Sequence, residues 1–411
     1  MCFWTVLGTL LGFFLFLRRH LPYPNVDTRS IFCQGPAFSS DPCYNLPVDN
    51  TQKLKIVDLF CGCGGLSRGF IDAGYKIILG VDNDEAALIT FEANHGDAPV
   101  LNLDLSKGNA VKKIEDVVGE KVDLIVAGPP CQGFSLTGTR SFDDKRNRLY
   151  LAVIEAITRL KPEAFLIENV PGLAALYGGT VKDEIIKRLS SRGYTVSMKV
   201  LCAADFGVPQ MRRRVFFVGM KNKYGEFSFP GPTHTPETYV TCLDAIGDLP
   251  ALEDHLGSEV GSYTSYPRTL YQQLMRNNSR VLYNHVATKH TEYVKSVIAL
   301  VPEGGNHKNL PIGVGESRRF NEAWTRYHSR KPSKTIDTGH RNHFHYRYNR
   351  IPTVRENARL QSFTDDFRFF GSMTEQNRQV GNAVPPILGY HIAKQILICL
   401  SRQEATRYAK D

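Results

Sequence analysis

From Lys53 to about residue 220, short apolar runs alternate with amphipathic segments, and this rhythm limits the possible folds more than any other feature of the chain. Strands buried on both faces of a parallel sheet read as near-continuous apolar runs, and helices must cross between them. The pattern predicts strands over 54–60, 77–81, 122–127, 164–167 and 215–219. Between the third and fourth, Leu149, Ala152, Val153, Ala156, Ile157 and Leu160 follow the i, i+3, i+4, i+7 rule of a helix laid on a sheet. Residues 53–220 are therefore expected to form a doubly wound α/β domain.

Beyond Lys221 the rhythm fades. Residues 221–374 are expected to form a second, irregular domain with a hinge, and 375–411 a segment that returns to the first domain. The second stretch is rich in Pro, Gly, Tyr and His, and nine of the twelve histidines fall between 221 and 349. That composition offers donors and stacking rings to a polyanionic ligand bearing bases, although a solvated irregular domain has the same composition. Residues 352–361 read as a helix, and 387–400 as an apolar-periodic helix able to cover the first domain. Residues 1–52 read as a disordered or mis-started extension. Its apolar segment, 3–17, is short for a membrane span, and its charges, Arg18 and Arg19, follow the apolar run instead of preceding it as in a secretory signal. If it does insert as an anchor, those arginines keep the remainder in the cytoplasm. No internal repeat is visible.

With 411 residues, 42% of them hydrophobic, the chain can bury a large core, and its formal charge of +9 suits a polyanion without requiring one. Nine cysteines are scattered with no pair of CxxC clusters, which argues against a structural zinc site and for a reducing compartment. No metal is expected; Cys61 and Cys63 should pack under a turn.

Three strand ends carry the chemistry. Phe60-Cys61-Gly62-Cys63-Gly64-Gly65 follows the first strand and precedes a helix, where a tight turn needs residues without Cβ and a ligand can approach backbone amides. Asp82, about twenty residues on at the end of the second strand, is placed to accept from ribose hydroxyls, and Asp104 to accept from an adenine amine. Together they point to an adenosine-containing cofactor. The glycine spacing is not GxGxxG, which disfavours a dinucleotide and hydride transfer. Gly128-Pro129-Pro130-Cys131-Gln132-Gly133-Phe134-Ser135 follows the strand at 122–127 and presents a thiol on a stiffened loop at the carboxyl edge of the sheet. An unactivated thiol is only a few per cent ionised at pH 7, so attack needs local help.

With these residues in view, the chain resembles the cytosine-5 DNA methyltransferases of bacterial type. Asp58-Leu59-Phe60-Cys61-Gly62-Cys63-Gly64-Gly65, the Cys131 loop, Glu168-Asn169-Val170, Gln210-Met211-Arg212-Arg213-Arg214, Arg355-Glu356-Asn357-Ala358-Arg359-Leu360-Gln361 and Gln379-Val380-Gly381-Asn382-Ala383-Val384 match that family's motifs in its order, across about residues 53–400. The resemblance implies a Rossmann-like domain dependent on S-adenosylmethionine, with a smaller target-recognition domain. It implies methyl transfer to C5 of a cytosine flipped out of double-stranded DNA, through a covalent adduct of Cys131 at C6. Glu168, kept protonated by burial, would bond N3 of the ring. Arg212 and Arg214, two apart in a short strand, would share a face, hold the pyrimidine carbonyl and orient Glu168 or Cys131. Phe60, Gly62, Gly64, Gly65, Leu66, Asp82, Asn83, Asp104, Leu105, Pro130 and Asn382 would line the cofactor pocket; the family often has glutamate where Asp82 stands. Gln132, Ser135, Arg146, Arg148 and Gln210 would meet DNA, the first four from a loop that closes on the phosphates.

Two other readings share these residues. The tRNA-methylating branch carries a Cys-Phe-Thr motif absent between 221 and 349 here. An inactive DNA-binding regulator should have lost Cys131, Glu168 or the glycine turn, all of which are present. The expected setting is the cytoplasm, with the chain a monomer whose cognate restriction endonuclease is a genetic partner.

Overall fold

A computed structural model of the protein describes residues 53–130, 148–277, 279–314, 323–338 and 342–408. The N-terminal extension with its apolar segment, and 131–147 with Cys131, Gln132, Ser135 and Arg146, lie outside the described residues.

Seven strands form one sheet. They are β1 (Lys55–Leu59), β2 (Lys76–Asp82), β3 (Val100–Asn102), β4 (Leu124–Ala127), β5 (Ala164–Asn169), β6 (Tyr194–Cys202) and β7 (Arg213–Lys221), in the spatial order β3-β2-β1-β4-β5-β7-β6. Helices α1 (Gly65–Asp72), α2 (Glu85–Asn94), α3 (Ala110–Val118), α4 (Arg148–Leu160) and α5 (Thr180–Ser190) connect the strands. Val153, Ala156 and Ile157 of α4 are buried, as their spacing predicts, in one core with Val57, Leu79, Ile125 and Phe165 from the strands. β5 is buried at every residue.

The sheet is not wholly parallel. β7 pairs antiparallel with both β5 and β6. Only ten residues, 203–212, link β6 to β7, and they hold no more than the single turn Ala203–Phe206. A parallel pair would need a crossover of a dozen or more residues, so the chain turns back instead. β6, which interleaves Thr195, Ser197 and Lys199 with its apolar side chains, escaped the sequence reading, and β3, only three residues long, figures there merely as the short segment before Asp104.

Past Lys221 the chain builds a lobe of short elements: α6 (Cys242–Ile246), the antiparallel pair β8 (Gly257–Gly261) and β9 (Leu282–Val286), α7 (Leu270–Arg276), α8 (Glu292–Leu300) and α9 (Val354–Leu360). Ions occupy its interior. Arg359 donates to Asp365 through Nε (2.9 Å) and Nη2 (2.7 Å) and to Asp248 through Nη1 (2.5 Å), while Arg350 forks onto Glu356 with two bonds of 2.7 Å. Several histidines that composition offered to a ligand are structural: His285 contacts Thr353 Oγ1 and the Pro250 carbonyl, and His345 is buried beside Glu356.

Two helices then return, α10 (Met373–Asn382) and α11 (Pro386–Tyr408). By composition this stretch is apolar enough to cross a membrane. Leu388, Ile392, Ala393 and Ile396 are instead buried within the protein. α11 lies on α1 so closely that a Cβ on Gly389 would come within 3.6 Å of the Gly69 Cα.

Candidate active site

Chain order reverses at β1, which has β2 on one side and β4 on the other. In open α/β sheets ligands bind beyond the carboxyl ends of strands at such a switch point. The glycine turn leaves β1 there, Asp82 ends β2, Pro129 and Pro130 leave β4, and Glu168 and Asn169 end β5.

The glycine turn is left-handed at Phe60 (φ 60°), Gly62 (φ 52°) and Gly64 (φ 88°). A bulky residue is costly in that region, so Phe60 is a strained position held by its surroundings. The Asp82 carboxylate braces the turn: Oδ2 accepts from the Gly62 N–H at 2.8 Å, while Oδ1 accepts from Asn83 and Asp84 N–H at 2.7 and 3.0 Å. Beneath it, Ser67 Oγ donates to Asp58 Oδ2 at 2.6 Å, and burial pushes the Asp58 carboxyl up to about 7.

The glycines divide the work differently from the expectation that each opens the backbone to a ligand. Beside Gly62 there is open space, with nothing within 4 Å of where a Cβ would stand. Gly64 is filled by His95 and Gly65 by the Val384 carbonyl, whose nearest atoms would lie 2.1 and 2.5 Å from an added Cβ. Gly65 therefore admits the α10–α11 link, and that brings exposed Asn382 to the turn from more than 300 residues away in sequence. Leu66 turns toward α11, its Cδ1 3.3 Å from where a Gly389 Cβ would stand. Asn83 is exposed and Leu105 buried. Asp104 accepts from the Ser106 N–H at 2.9 Å, and the Ser106 hydroxyl, then that N–H and Lys107, hold its carboxyl below the usual range. The open space at Gly62, the carboxylate of Asp82 and the apolar ring of Phe60 suit an adenosine bearing an amino-acid tail.

Glu168 is 9% exposed. Burial raises its carboxyl above the ordinary range despite the opposing pull of Arg214 and then Arg212. Arg214 Nε stands 2.9 Å from Glu168 Oε1 but off the line of a hydrogen bond, so charge holds the pair. The other carboxyl oxygen faces Gly128, 3.6 Å from the place of a Cβ there. Asn169 fastens the start of the thiol loop, donating from Nδ2 to the Pro129 carbonyl at 2.7 Å. Pro130 is exposed, one residue before Cys131. Arg212 is fully buried; Nη2 donates to the Gly381 carbonyl at 2.8 Å, and Nε and Nη1 have no partner among the described residues.

Gln210 departs from its expected place on DNA. It is wholly buried, donating from Nε2 to the Leu360 carbonyl at 3.2 Å and to Gln361, and accepting from the Ile336 N–H at 3.2 Å. Its amide is used up in joining the lobe to the sheet. Arg148, by contrast, is exposed at the start of α4. The sequence reading missed Asn169, which holds the root of the Cys131 loop, and His95, whose ring packs against the glycine turn. Asn169 adjoins Glu168 within a recognised motif, whereas nothing in the local pattern around His95 marks it.

The model for the family described as C-5 cytosine-specific DNA methylase matches residues 54–398. The chain is 39% identical over 353 residues to the Type II methyltransferase M1.HphI of Haemophilus parahaemolyticus, across 84% of this chain and 87% of that one. It is 37% identical over 371 residues to the Type II methyltransferase M.DdeI of Desulfomicrobium norvegicum, across 84% and 88%. Among solved structures, an inferred DNA modification methyltransferase encoded within an E. coli prophage superposes with a TM-score of 0.70 at 27% identity, covering 85% of this chain and 100% of that chain. The chain belongs to the family of C-5 cytosine-specific DNA methylases.

Proposed function

We propose that this DNA cytosine-5 methyltransferase works through Cys131 as the attacking nucleophile and Glu168 as the acid that supports it. One observation carries the assignment: Glu168 is buried at the end of β5, faces Gly128 at the root of the Cys131 loop, and stands against Arg214. Cytosine C5 is too weak a nucleophile to take a methyl group directly. The Cys131 thiolate adds to C6 and places electron density on C5. Glu168 in its protonated form donates to N3 and stabilises the charge that develops on the ring. Arg214 orients Glu168, and the unpartnered Nε and Nη1 of Arg212 supply donors to the pyrimidine carbonyl. After transfer to C5, loss of the C5 proton returns the bonding pair to the ring and expels Cys131 by elimination.

S-adenosylmethionine supplies the methyl group as a sulfonium, activated for attack by C5. Phe60, Gly62, Asp82, Asp104, Pro130 and Asn382 would hold it in the space beside the glycine turn. The base must leave the helix stack to reach the thiol. The lobe at 221–374 is read as the target-recognition domain, and Arg148 with the segment before it as the contact to phosphates. The enzyme is read as a cytoplasmic monomer that protects DNA from a cognate restriction endonuclease.

Transfer of labelled methyl from S-adenosylmethionine to DNA but not to tRNA is expected. Cys131→Ser should abolish both transfer and the denaturation-resistant complex with 5-fluorocytosine DNA. Persistence of that complex in the variant excludes Cys131 as nucleophile.

A further inference from the structure

His95 sits just past the end of α2, 7% exposed, stacked on Phe91 at 4.1 Å between ring centroids and met edge-on by Phe367 at 5.8 Å. An imidazole in an aromatic slot is commonly a space-filler. Its two nitrogens argue otherwise. Nδ1 lies 2.8 Å from the Phe91 carbonyl and Nε2 3.0 Å from the Gly64 carbonyl, so both ring nitrogens face acceptors. The same Gly64 carbonyl accepts the first helical N–H of α1, from Arg68 at 2.8 Å. Gly64 is left-handed, and a Cβ there would fall 2.1 Å from His95 Cε1. The turn and the ring are therefore shaped to each other across 31 residues of sequence.

Burial pushes the imidazole down to about 4, so at neutral pH it is uncharged and has one N–H to give. With the proton on Nε2, His95 donates directly to the turn. With it on Nδ1, the ring is tied to α2 and sets a lone pair against Gly64. Which of the two carbonyls the ring holds thus depends on the tautomer.

We propose that His95 is a positioning residue of the cofactor site: it donates from Nε2 to the Gly64 carbonyl and holds the left-handed turn at Phe60–Gly64 in the form that receives S-adenosylmethionine. This rests on the cofactor-site reading above. His95 touches neither cofactor nor base and acts through the turn, so it sets cofactor affinity and leaves the chemical step alone.

The test is calorimetric titration of S-adenosylmethionine onto the full chain, with steady-state kinetics and thermal melts, for wild type, H95F and H95Q. Phenylalanine keeps the aromatic slot filled and removes the donor; glutamine returns an N–H. H95F should raise both Kd and KM for S-adenosylmethionine about tenfold, the equivalent of about 1.4 kcal/mol. Its kcat and its KM for DNA should stay near wild type, and H95Q should recover most of the affinity. A folded H95F with wild-type affinity overturns the proposal, as does equal weakening of H95F and H95Q, which would assign the effect to the ring. Should H95F melt below the assay temperature, H95Q against H95M makes the same comparison of donor with apolar chain, and equal affinities in that pair overturn it. A wild-type protein that does not bind S-adenosylmethionine would instead defeat the cofactor-site reading.

Discussion

Glu168 gains its chemistry from where β5 ends. On the surface it would be an ordinary carboxylate; at 9% exposure, burial favours the neutral form, and the arginines offset that only in part. Because the folded carboxyl holds its proton more tightly than the unfolded one, the group stabilises the fold at low pH and opposes it as pH rises through the raised value. If catalysis uses the protonated form, activity falls along the same limb. Glu168→Gln should lower kcat by roughly 10²–10³-fold and remove that alkaline limb, as pH–rate profiles of the two proteins would show. An unchanged limb would assign it to another group. Legibility at this scale depended on how far away the partners lie. Glu168 and Arg214 were readable because they sit in recognised motifs; that they meet, at 2.9 Å between Arg214 Nε and Glu168 Oε1, follows from the pairing of β5 with β7. Gln210 lies in one of those motifs too, but its partners Ile336, Leu360 and Gln361 come from more than 120 residues away, and they turn it inward.

Among the elements, α9 is the one whose composition most misleads. Val-Arg-Glu-Asn-Ala-Arg-Leu reads as a solvated helix, yet all seven residues are buried. Its ions survive there because each has partners: Glu356 has Arg350 and the Thr353 capping box, Arg359 has Asp248 and Asp365, and Arg355 donates to the carbonyls of Tyr283, Thr364 and Phe367. Burial pushes the Glu356 carboxyl up, but Arg350 and His345 overcome it and hold it well below the ordinary range. A depressed carboxyl stabilises the fold above its unfolded value, and that contribution is lost as pH falls toward the folded one. His345, pushed down to about 3 by burial, acts in the same direction, since the unfolded ring takes a proton near 6.5 that the folded ring refuses. Glu356→Gln leaves Arg350 buried without its anion and should cost about 3–5 kcal/mol, with a shallower loss of stability on acidification. Urea unfolding at pH 7 and pH 5 measures both; a loss below about 1 kcal/mol would mean that the pair is solvated.

For the whole molecule, the decisive event is the return of α10 and α11 to the first strand's neighbourhood. Arg378 pairs with Asp84 at 2.8 Å, Gln379 with Thr90 at 2.7 Å, and α11 covers α1. Gly69 makes the closest approach: a Cβ there would stand 2.4 Å from the Pro386 carbonyl and 2.6 Å from the Tyr390 nitrogen, backbone atoms that cannot swing aside. Gly69→Ala should therefore destabilise the protein by about 1–3 kcal/mol and weaken S-adenosylmethionine binding, because only residues 383–385 separate Asn382 from the displaced helix. A melt and a titration read the two effects, and a wild-type melting temperature would show that the helices part without cost. The sequence by itself determined what is local: strands and a helix through their periodicity, and motifs whose residues adjoin one another. Only the tertiary structure decided that β7 runs backward, that Gly64 and Gly65 are filled by His95 and Val384 while Gly62 stays open, and that a polar helix lies in the interior. The physical reason is that burial and hydrogen-bond partnership depend on segments hundreds of residues apart, and no window along the chain contains both sides of such a contact.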